Sequence, residues 1–182
     1  MGLFSFLKKN KEKNAKSLAH GTVFTTRTKE GVLGDIGYNA LQNKDYDTAE
    51  KSLFKALESK DINPMDRHFT YLSLIELFYK QRNTQPDAIN KCIKYCKEDI
   101  EHLEEFMEAW KNDELKIGRN ENDIRYPRIP SFQRLAIIYE KQGKIKEAIE
   151  ICNMVLRYEK NNDYEKSDFE KRLTKLQKKY IP

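Results

Sequence analysis

Residues Pro130–Asn162, PSFQRLAIIYEKQGKIKEAIEICNMVLRYEKNN, contain two apolar stripes at helical spacing with a turn between them. The first stripe is Phe132, Leu135, Ala136 and Tyr139, and the second is Ala148, Ile149, Cys152, Val155 and Leu156. Gly143 lies between the stripes, and glycine permits the left-handed backbone that ends many helices. The small side chains of Ala136 and Ala148 would let two helices approach closely. This stretch therefore predicts a helical hairpin, which must pack on neighbours to bury both of its faces.

The same separations recur twice earlier in the chain. From Leu33, the offsets 3, 4, 16 and 20 reach Ile36, Gly37, Ala49 and Leu53, as from Phe132 they reach Leu135, Ala136, Ala148 and Cys152. From Leu72, three of these offsets reach Ile75, Ala88 and Cys92. This spacing resembles the tetratricopeptide repeat, whose pattern is aromatic-x2-Leu-small-x2-Tyr followed by Ala-x3-Phe. The last repeat departs from the pattern at Cys152, where the family has Phe, and at Lys160, where it has Pro.

The resemblance implies an all-α fold, an α-solenoid of about three helix hairpins with a C-terminal capping helix. The hairpins are expected at residues 30–63, 69–112 and 129–162, with an insertion at about 113–129 and the capping helix at 163–182. Residues 1–29 are expected to form a basic tail and a linker. In this family the first helix of each repeat lines a concave face that binds an extended peptide or a helix of a partner protein.

Composition agrees with thin helical layers. Of the 182 residues, 35% are charged and only 38% are hydrophobic, and the chain has few of the glycines and prolines that sandwiches and barrels need in their turns. The three cysteines are an odd number without the spacing of a disulfide framework. No secretory signal and no apolar run of about 18 residues is present. These features favour a cytoplasmic location.

The first seven residues, MGLFSFL, are apolar, and Lys8, Lys9, Lys11, Lys13 and Lys16 follow them. One interpretation is a weak interfacial anchor in residues 1–16, which would place the protein at the inner membrane surface. The other is a plain tail, or a segment that docks on its own or another subunit. The sequence leaves both open.

Local signals divide the middle of the chain. Asn63, Pro64 and Asp66 predict the start of a helix that runs to about Arg82 and is apolar nearly all round, so its repeat register starts at either Phe69 or Leu72. Thr84-x-x-Asp87 predicts the start of the next helix, which should continue to about Trp110. Ser167-x-x-Glu170 predicts the start of the final helix.

Candidate binding residues come from the concave face that the resemblance implies. Gly34 and Ser73 would leave room on this face, and its partner-binding side chains would be Tyr38, Leu41, Leu77, Gln81, Arg134, Ile137 and Lys141. In the insertion, Tyr126 and Arg128 are residue types common at binding hot spots, although the segment could equally be a plain linker.

Some family members hold a C-terminal carboxylate with Lys, Asn and Arg side chains. The matching positions here are Gly34, Tyr38, Leu74, Pro130 and Arg134. Only Arg134 is suitable, so the resemblance favours a more apolar ligand segment than a carboxylate tail.

Sequence motifs for catalysis are absent: there is no Gly-x-Ser-x-Gly, His-Glu-x-x-His, P-loop or Cys-x-x-Cys. Cys92, Cys96, Asp99 and His102 share a helix, but no second ligand pair is evident, so buried cysteines are favoured over a metal site. The basic ends come without a nucleic-acid motif, so nucleic acid is not favoured as a partner. The leading hypothesis is a non-enzymatic adaptor without a cofactor that binds another protein. The alternatives are a self-associating homo-oligomer and an adaptor tethered to a membrane surface through MGLFSFLKK.

Overall fold

The computed structural model describes residues 28–59, 62–158 and 163–180. These residues form eight α-helices and one short 3-10 helix, and they contain no β-strand, which confirms the all-α fold class. The helices are α1 (Lys29–Gln42), α2 (Tyr46–Leu57), α3 (Pro64–Gln81), α4 (Ala88–Glu101), α5 (Leu103–Lys116), α6 (Pro130–Lys141), α7 (Ile145–Arg157) and α8 (Asp163–Lys179), and the 3-10 helix spans Glu121–Asp123. The basic tail, most of the linker and position 160 lie outside the described residues.

The helices pack as three hairpins, α1–α2, α3–α4 and α6–α7. Helices α1 and α2 both contact α3, and α3 and α4 both contact α6. Helix α5 packs on α3 and α4, and α8 packs on α7. Because α3 contacts α1, α2, α4, α5 and α6, it needs apolar residues on nearly every face, as its sequence predicts.

The first and third hairpins have the same turn. Lys44 and Gly143 both adopt the left-handed conformation, with φ of 63° and 72°. The backbone N–H of the following residue, Asp45 or Lys144, then donates to Ala40 O or Tyr139 O at 2.9 Å in each case. This bond closes the helix end in the manner of a Schellman motif. Both left-handed residues lie eleven positions after the first residue of their repeat pattern, so the sequence offsets correspond to a repeated backbone structure.

Glycines set the spacing between α1 and its neighbours. A Cβ atom on Gly37 would lie 2.5 Å from Leu53 Cγ on α2. A Cβ atom on Gly31 would lie 2.8 Å from Asp66 Oδ2, and one on Gly34 would lie 3.2 Å from the Thr70 hydroxyl, both on α3. The glycines at intervals of three therefore allow close packing on two different helices.

Capping agrees with the sequence at two helices and differs at two others. Asn63 accepts from Asp66 N at 2.9 Å and caps α3 as predicted, and Asp45, a residue type that favours this position, accepts from Thr48 N at 3.2 Å and caps α2. Thr84 instead donates its hydroxyl to Gln81 O, and α4 begins after Asp87 without a side-chain cap. Ser167 lies inside α8, which already begins at Asp163, so the predicted start at Ser167 is wrong.

The long helix expected to reach Trp110 is interrupted at His102. This residue has φ −95° and ψ 10°, which ends α4 and begins α5. Phe106 and Met107 of α5 are buried, and α5 packs against α3. Periodicity does not detect such a break, because the apolar spacing continues through it.

The insertion is packed against the helices. Gly118, with φ 84°, follows the end of α5, and Ile124 and Ile129 are buried. The indole nitrogen of Trp110 donates to Arg125 O at 3.1 Å. Ile129 N donates to the buried Glu165 carboxylate of α8 at 3.2 Å, so the insertion connects α5, α6 and α8. Among the described residues, no helix combines the length and apolar character needed to cross a membrane.

Candidate functional site

A cavity of about 400 Å³ opens between α1 and α3. Its walls are formed by Gly31, Gly34, Asp35, Tyr38, Asp66, Phe69, Thr70, Leu72, Ser73 and Glu76. Tyr38 and Phe69 are large apolar side chains, yet they remain 49% and 50% exposed. Gly34 contributes no side chain, so the space between the two helices stays open. We call this cavity the α1–α3 groove.

Carboxylates give the α1–α3 groove an acidic character. Asp66 is fixed in place because it accepts hydrogen bonds from the Thr28 hydroxyl at 2.7 Å and the Asn63 amide at 2.5 Å. Glu76 lies at the opposite end of the groove along α3 and pairs with Lys80 at 2.8 Å across one helical turn. Asp35 lines the α1 side. This groove therefore combines apolar rims with three acidic side chains.

A basic cluster follows one turn further along α3. The Tyr79 ring lies between Arg134, 3.7 Å from the guanidinium carbon to the ring centroid, and Arg82, at 4.3 Å. Lys141 Nζ donates to the Tyr79 hydroxyl at 3.4 Å. Burial raises the pKa of Tyr79, but the Lys141 hydrogen bond and the charges of Lys141 and Arg134 outweigh it and lower this pKa overall.

The basic cluster borders a second cavity of about 290 Å³ between α3, α4 and α6. Its walls include Tyr79, Arg82, Asn83, Ile89, Ile138, Lys141 and Gln142. None of the carboxylates in the described ranges forms an ion pair with Arg82, Arg134 or Lys141. The surface along α3 thus changes from acidic beside α1 to basic beside α6.

Several of the predicted binding residues lie on this surface. Tyr38 is at the rim of the α1–α3 groove, and Arg134 and Lys141 belong to the basic cluster. Ile137 and Gln81 are half-buried on α6 and at the end of α3. The structure thus brings Tyr38, Arg134 and Lys141 to a surface that follows α3.

Leu41 and Leu77 do not face a partner in this structure, because both are 0% exposed. Leu41 is one turn after Gly37, so it packs on the same side of α1, towards α2. Leu77 belongs to α3, whose five neighbours cover most of its surface. The prediction that Leu41 and Leu77 are exposed on a binding face is therefore wrong.

The insertion residues make contacts within the chain. Tyr126 is half-buried against the core, and Arg128 pairs with Asp168 of α8 at 2.6 Å. Phe69 and the acidic residues Asp35, Asp66 and Glu76 line the groove but are not in the predicted binding set. The alternative repeat register singles out Phe69, but the sequence of a helix that is apolar on nearly all faces does not show which face stays open.

A buried polar cluster joins three helices near the centre of the molecule. A hydrogen bond of 2.7 Å links His68 Nδ1 of α3 to Asp99 Oδ1 of α4, and Ser131 of α6 donates to the other carboxylate oxygen. The His68 ring stacks on Phe106 with centroids 3.8 Å apart. A nucleophilic serine would bond to the imidazole, whereas Ser131 bonds to the carboxylate. This cluster therefore connects helices and does not form a hydrolase site.

The cysteines are all free and buried. Cys92 Sγ donates to Ile75 O at 3.5 Å, and a hydrogen bond with Cys92 together with burial raises the pKa of Cys96. Burial also raises the pKa of Cys152 to about 11. Reactive thiols need a lowered pKa and an accessible sulfur. The hydrogen bond with Cys96 lowers the pKa of Cys92 although burial opposes it, but Cys92 is completely buried and so lacks the access that a reactive thiol needs. In the part of the chain that the structure describes, no group of three or more His, Cys, Asp or Glu residues is placed to hold a metal ion.

Comparison with known protein families finds no family model that matches this chain. The chain is 30% identical over 128 residues to an uncharacterized protein of Aquifex aeolicus (strain VF5). This match covers 70% of the chain and 56% of that relative, so the chain spans little more than half of the relative's length.

Proposed function

We propose that this chain is a non-enzymatic cytoplasmic adaptor of the tetratricopeptide-repeat type, which binds a peptide segment or helix of another protein along α3. The observation that carries the proposal is the α1–α3 groove, where Tyr38 and Phe69 are half exposed beside a cavity of about 400 Å³. Cavities of this size accept small ligands and single side chains. Large half-exposed aromatics at such a cavity are typical of binding hot spots.

Two features support the repeat architecture and the α-solenoid. The first and third hairpins end their first helix with the same left-handed turn. In addition, α3 packs on both helices of the preceding hairpin, and α6 does the same with α3 and α4. Stacking of this kind, hairpin upon hairpin, is how repeat proteins bury faces that no single repeat can cover.

The charge distribution along α3 supports a ligand segment that carries a basic residue at one end and an acidic residue at the other. The acidic α1–α3 groove would accept an apolar side chain flanked by a basic residue, and the basic cluster would accept an acidic residue further along the same segment. A ligand of this composition would be held in one direction, because reversing it would put like charges together.

The test is affinity capture from the native host with the purified full chain. Replacing Tyr38→Ala and Phe69→Ala together should reduce partner yield at least tenfold, since hot-spot aromatics each contribute about 2 kcal/mol or more. The matched control is Ile117→Ala with Met154→Ala, which truncates two other exposed apolar side chains away from the groove. Equal partner yields from the groove variant and the parent would disprove the proposal.

A further inference from the structure

We propose that, in the absence of a partner, the α1–α3 groove is occupied by residues 1–9 of the same chain, MGLFSFLKK, which then compete with the partner. This inference rests on the proposed function, because it takes the same groove as the binding surface. It names the chemistry that the groove selects, a short aromatic and aliphatic segment followed by lysines.

The α1–α3 groove and residues 1–9 both carry aromatic and aliphatic side chains. The groove offers Tyr38, Phe69 and Leu72, and residues 1–9 offer Leu3, Phe4, Phe6 and Leu7. Burying one such side chain favours docking in proportion to the apolar area that is removed from water. One or two of them in a cavity of about 400 Å³ would thus give weak, reversible docking, as competition with a partner requires.

The charge of the tail favours docking at the α1–α3 groove over docking at the basic cluster. Lysines follow the apolar residues at positions 8, 9, 11, 13 and 16, and the groove carries the carboxylates of Asp35, Asp66 and Glu76. The basic cluster of Arg82, Arg134 and Lys141 would repel the same lysines. Electrostatics therefore directs the segment to the α1 end of the surface and away from α6.

The tether is long enough and starts at the correct place. Thr28 is bonded through its hydroxyl to Asp66, a wall residue of the groove, so the chain enters the described fold at the groove itself. About 18 residues separate Lys9 from Thr28, and an extended chain spans roughly 3.3 Å per residue. This exceeds the length of α1, which is 14 residues at about 1.5 Å each. Tethering two binding elements through a short stretch of one chain gives an effective concentration in about the millimolar range, which suffices for weak docking.

Photo-crosslinking of the full-length purified chain tests the inference. Phe6 is replaced by the photoreactive residue p-benzoylphenylalanine, which keeps an aromatic side chain at this position. After irradiation at low micromolar concentration, we expect crosslinks within one chain that map to α1 around Tyr38 and to α3 around Phe69 and Leu72. Reversing the charges of the tail with Lys8→Glu, Lys9→Glu and Lys11→Glu should lower the yield several-fold. These substitutions lie in the tail, so the folded hairpins remain intact.

Three outcomes would overturn the inference. Crosslinks that join two chains, with a yield that rises with concentration, would make a second copy the occupant. Crosslinks confined to Val32 and Ile36, or to helices other than α1 and α3, would exclude the groove. Crosslinks that appear only to added vesicles of anionic phospholipid would favour a membrane surface.

Failure of the inference is distinguishable from failure of the adaptor proposal. If the crosslinks miss the groove while the Tyr38→Ala and Phe69→Ala variant loses its partners, the adaptor stands and the self-docking is wrong. If the crosslinks reach the groove while that variant captures partners normally, the self-docking stands and the partner site lies elsewhere.

Discussion

The absence of a Cβ atom at Gly34 and Gly37 determines how closely α1 approaches α3 and α2. At Gly37, the hydrogen in place of a side chain leaves Leu53 of α2 in van der Waals contact with the α1 backbone. At Gly34 the neighbour is the Thr70 hydroxyl of α3, and the contact is looser. The two positions are one turn apart and look alike in sequence, yet they meet different helices and tolerate a methyl group to different extents.

We expect Gly37→Ala to lower the free energy of unfolding by about 1 kcal/mol. Overpacking of a core costs about 1–3 kcal/mol, which exceeds the gain of about 1 kcal/mol from alanine inside a helix. Urea unfolding followed by circular dichroism measures this change. Gly34→Ala is the matched control and should lose less stability, because its new Cβ would lie 3.2 Å from the Thr70 hydroxyl, which needs to shift far less than Leu53 at 2.5 Å. Equal losses in both variants would argue against a special packing role for Gly37.

At the scale of one element, α8 is held on the third hairpin by buried apolar residues and a small ion-pair network. Phe169 and Leu176 of α8 are buried in the core. Glu140 of α6 accepts from Lys179 at 2.7 Å and from Arg172 at 2.9 Å. The hydrogen bond from Lys179 has the largest effect on the pKa of Glu140. Together with the charges of Lys179 and Arg172, it lowers the pKa of this carboxyl although burial acts in the opposite direction.

We expect Glu140→Gln to lose about 0.5–1 kcal/mol of stability at pH 7, the range of a partly exposed ion pair. Because the folded carboxyl has the lower pKa, the unfolded chain binds its proton first as the pH falls. The contribution of Glu140 is thus present above the ordinary value of 4.5 and is lost as the pH falls through the lowered pKa. Unfolding of parent and variant should converge at acid pH. Glu101→Gln, an exposed residue of α4, serves as control, and a pH-independent difference at Glu140 would contradict the ion-pair explanation.

The sequence was most informative where one face of a helix is clearly apolar. The hairpin of α6 and α7 follows from the apolar periodicity together with Gly143, and the all-α class follows from the resemblance to tetratricopeptide repeats. Periodicity did not reveal the break at His102, because the apolar stripe continues through it. It also did not show that Leu77 is buried and Phe69 exposed, since α3 is apolar all round and only its neighbours decide which face remains open. The bond of Ser131 to Asp99 joins residues 32 apart, and no local pattern indicates it.

For the whole molecule, α3 is the centre of the contact network. It touches five of the described helices, whereas α8 packs mainly on α7. Local opening of a fold depends on how many contacts must break, and helices at the edge of a fold have fewer of them. Stability should therefore decrease from the middle of the chain towards both of its described ends.

We expect amide hydrogen exchange to be slowest in α3 and faster in α1 and α8. Hydrogen–deuterium exchange with mass spectrometry measures the protection of each helix in the full chain at neutral pH. Peptides from α2 and α7 should show intermediate rates and so provide an internal comparison. Slower exchange in α1 than in α3 would contradict this order and would place the most stable unit at the edge of the molecule.

The carboxylate of Asp99, only 1% exposed, is bonded to side chains of two other helices, one in its own hairpin and one in the next. If the second and third hairpins moved apart, the Asp99 carboxylate would lose its hydrogen bond from Ser131, and breaking a hydrogen bond to a buried charged group is costly. Hinge motion between these hairpins is therefore opposed from inside the protein. If a partner binds across this junction, as the adaptor proposal expects, it would meet a surface of fixed shape, and selectivity would then come from fit to that surface instead of from adaptation after contact.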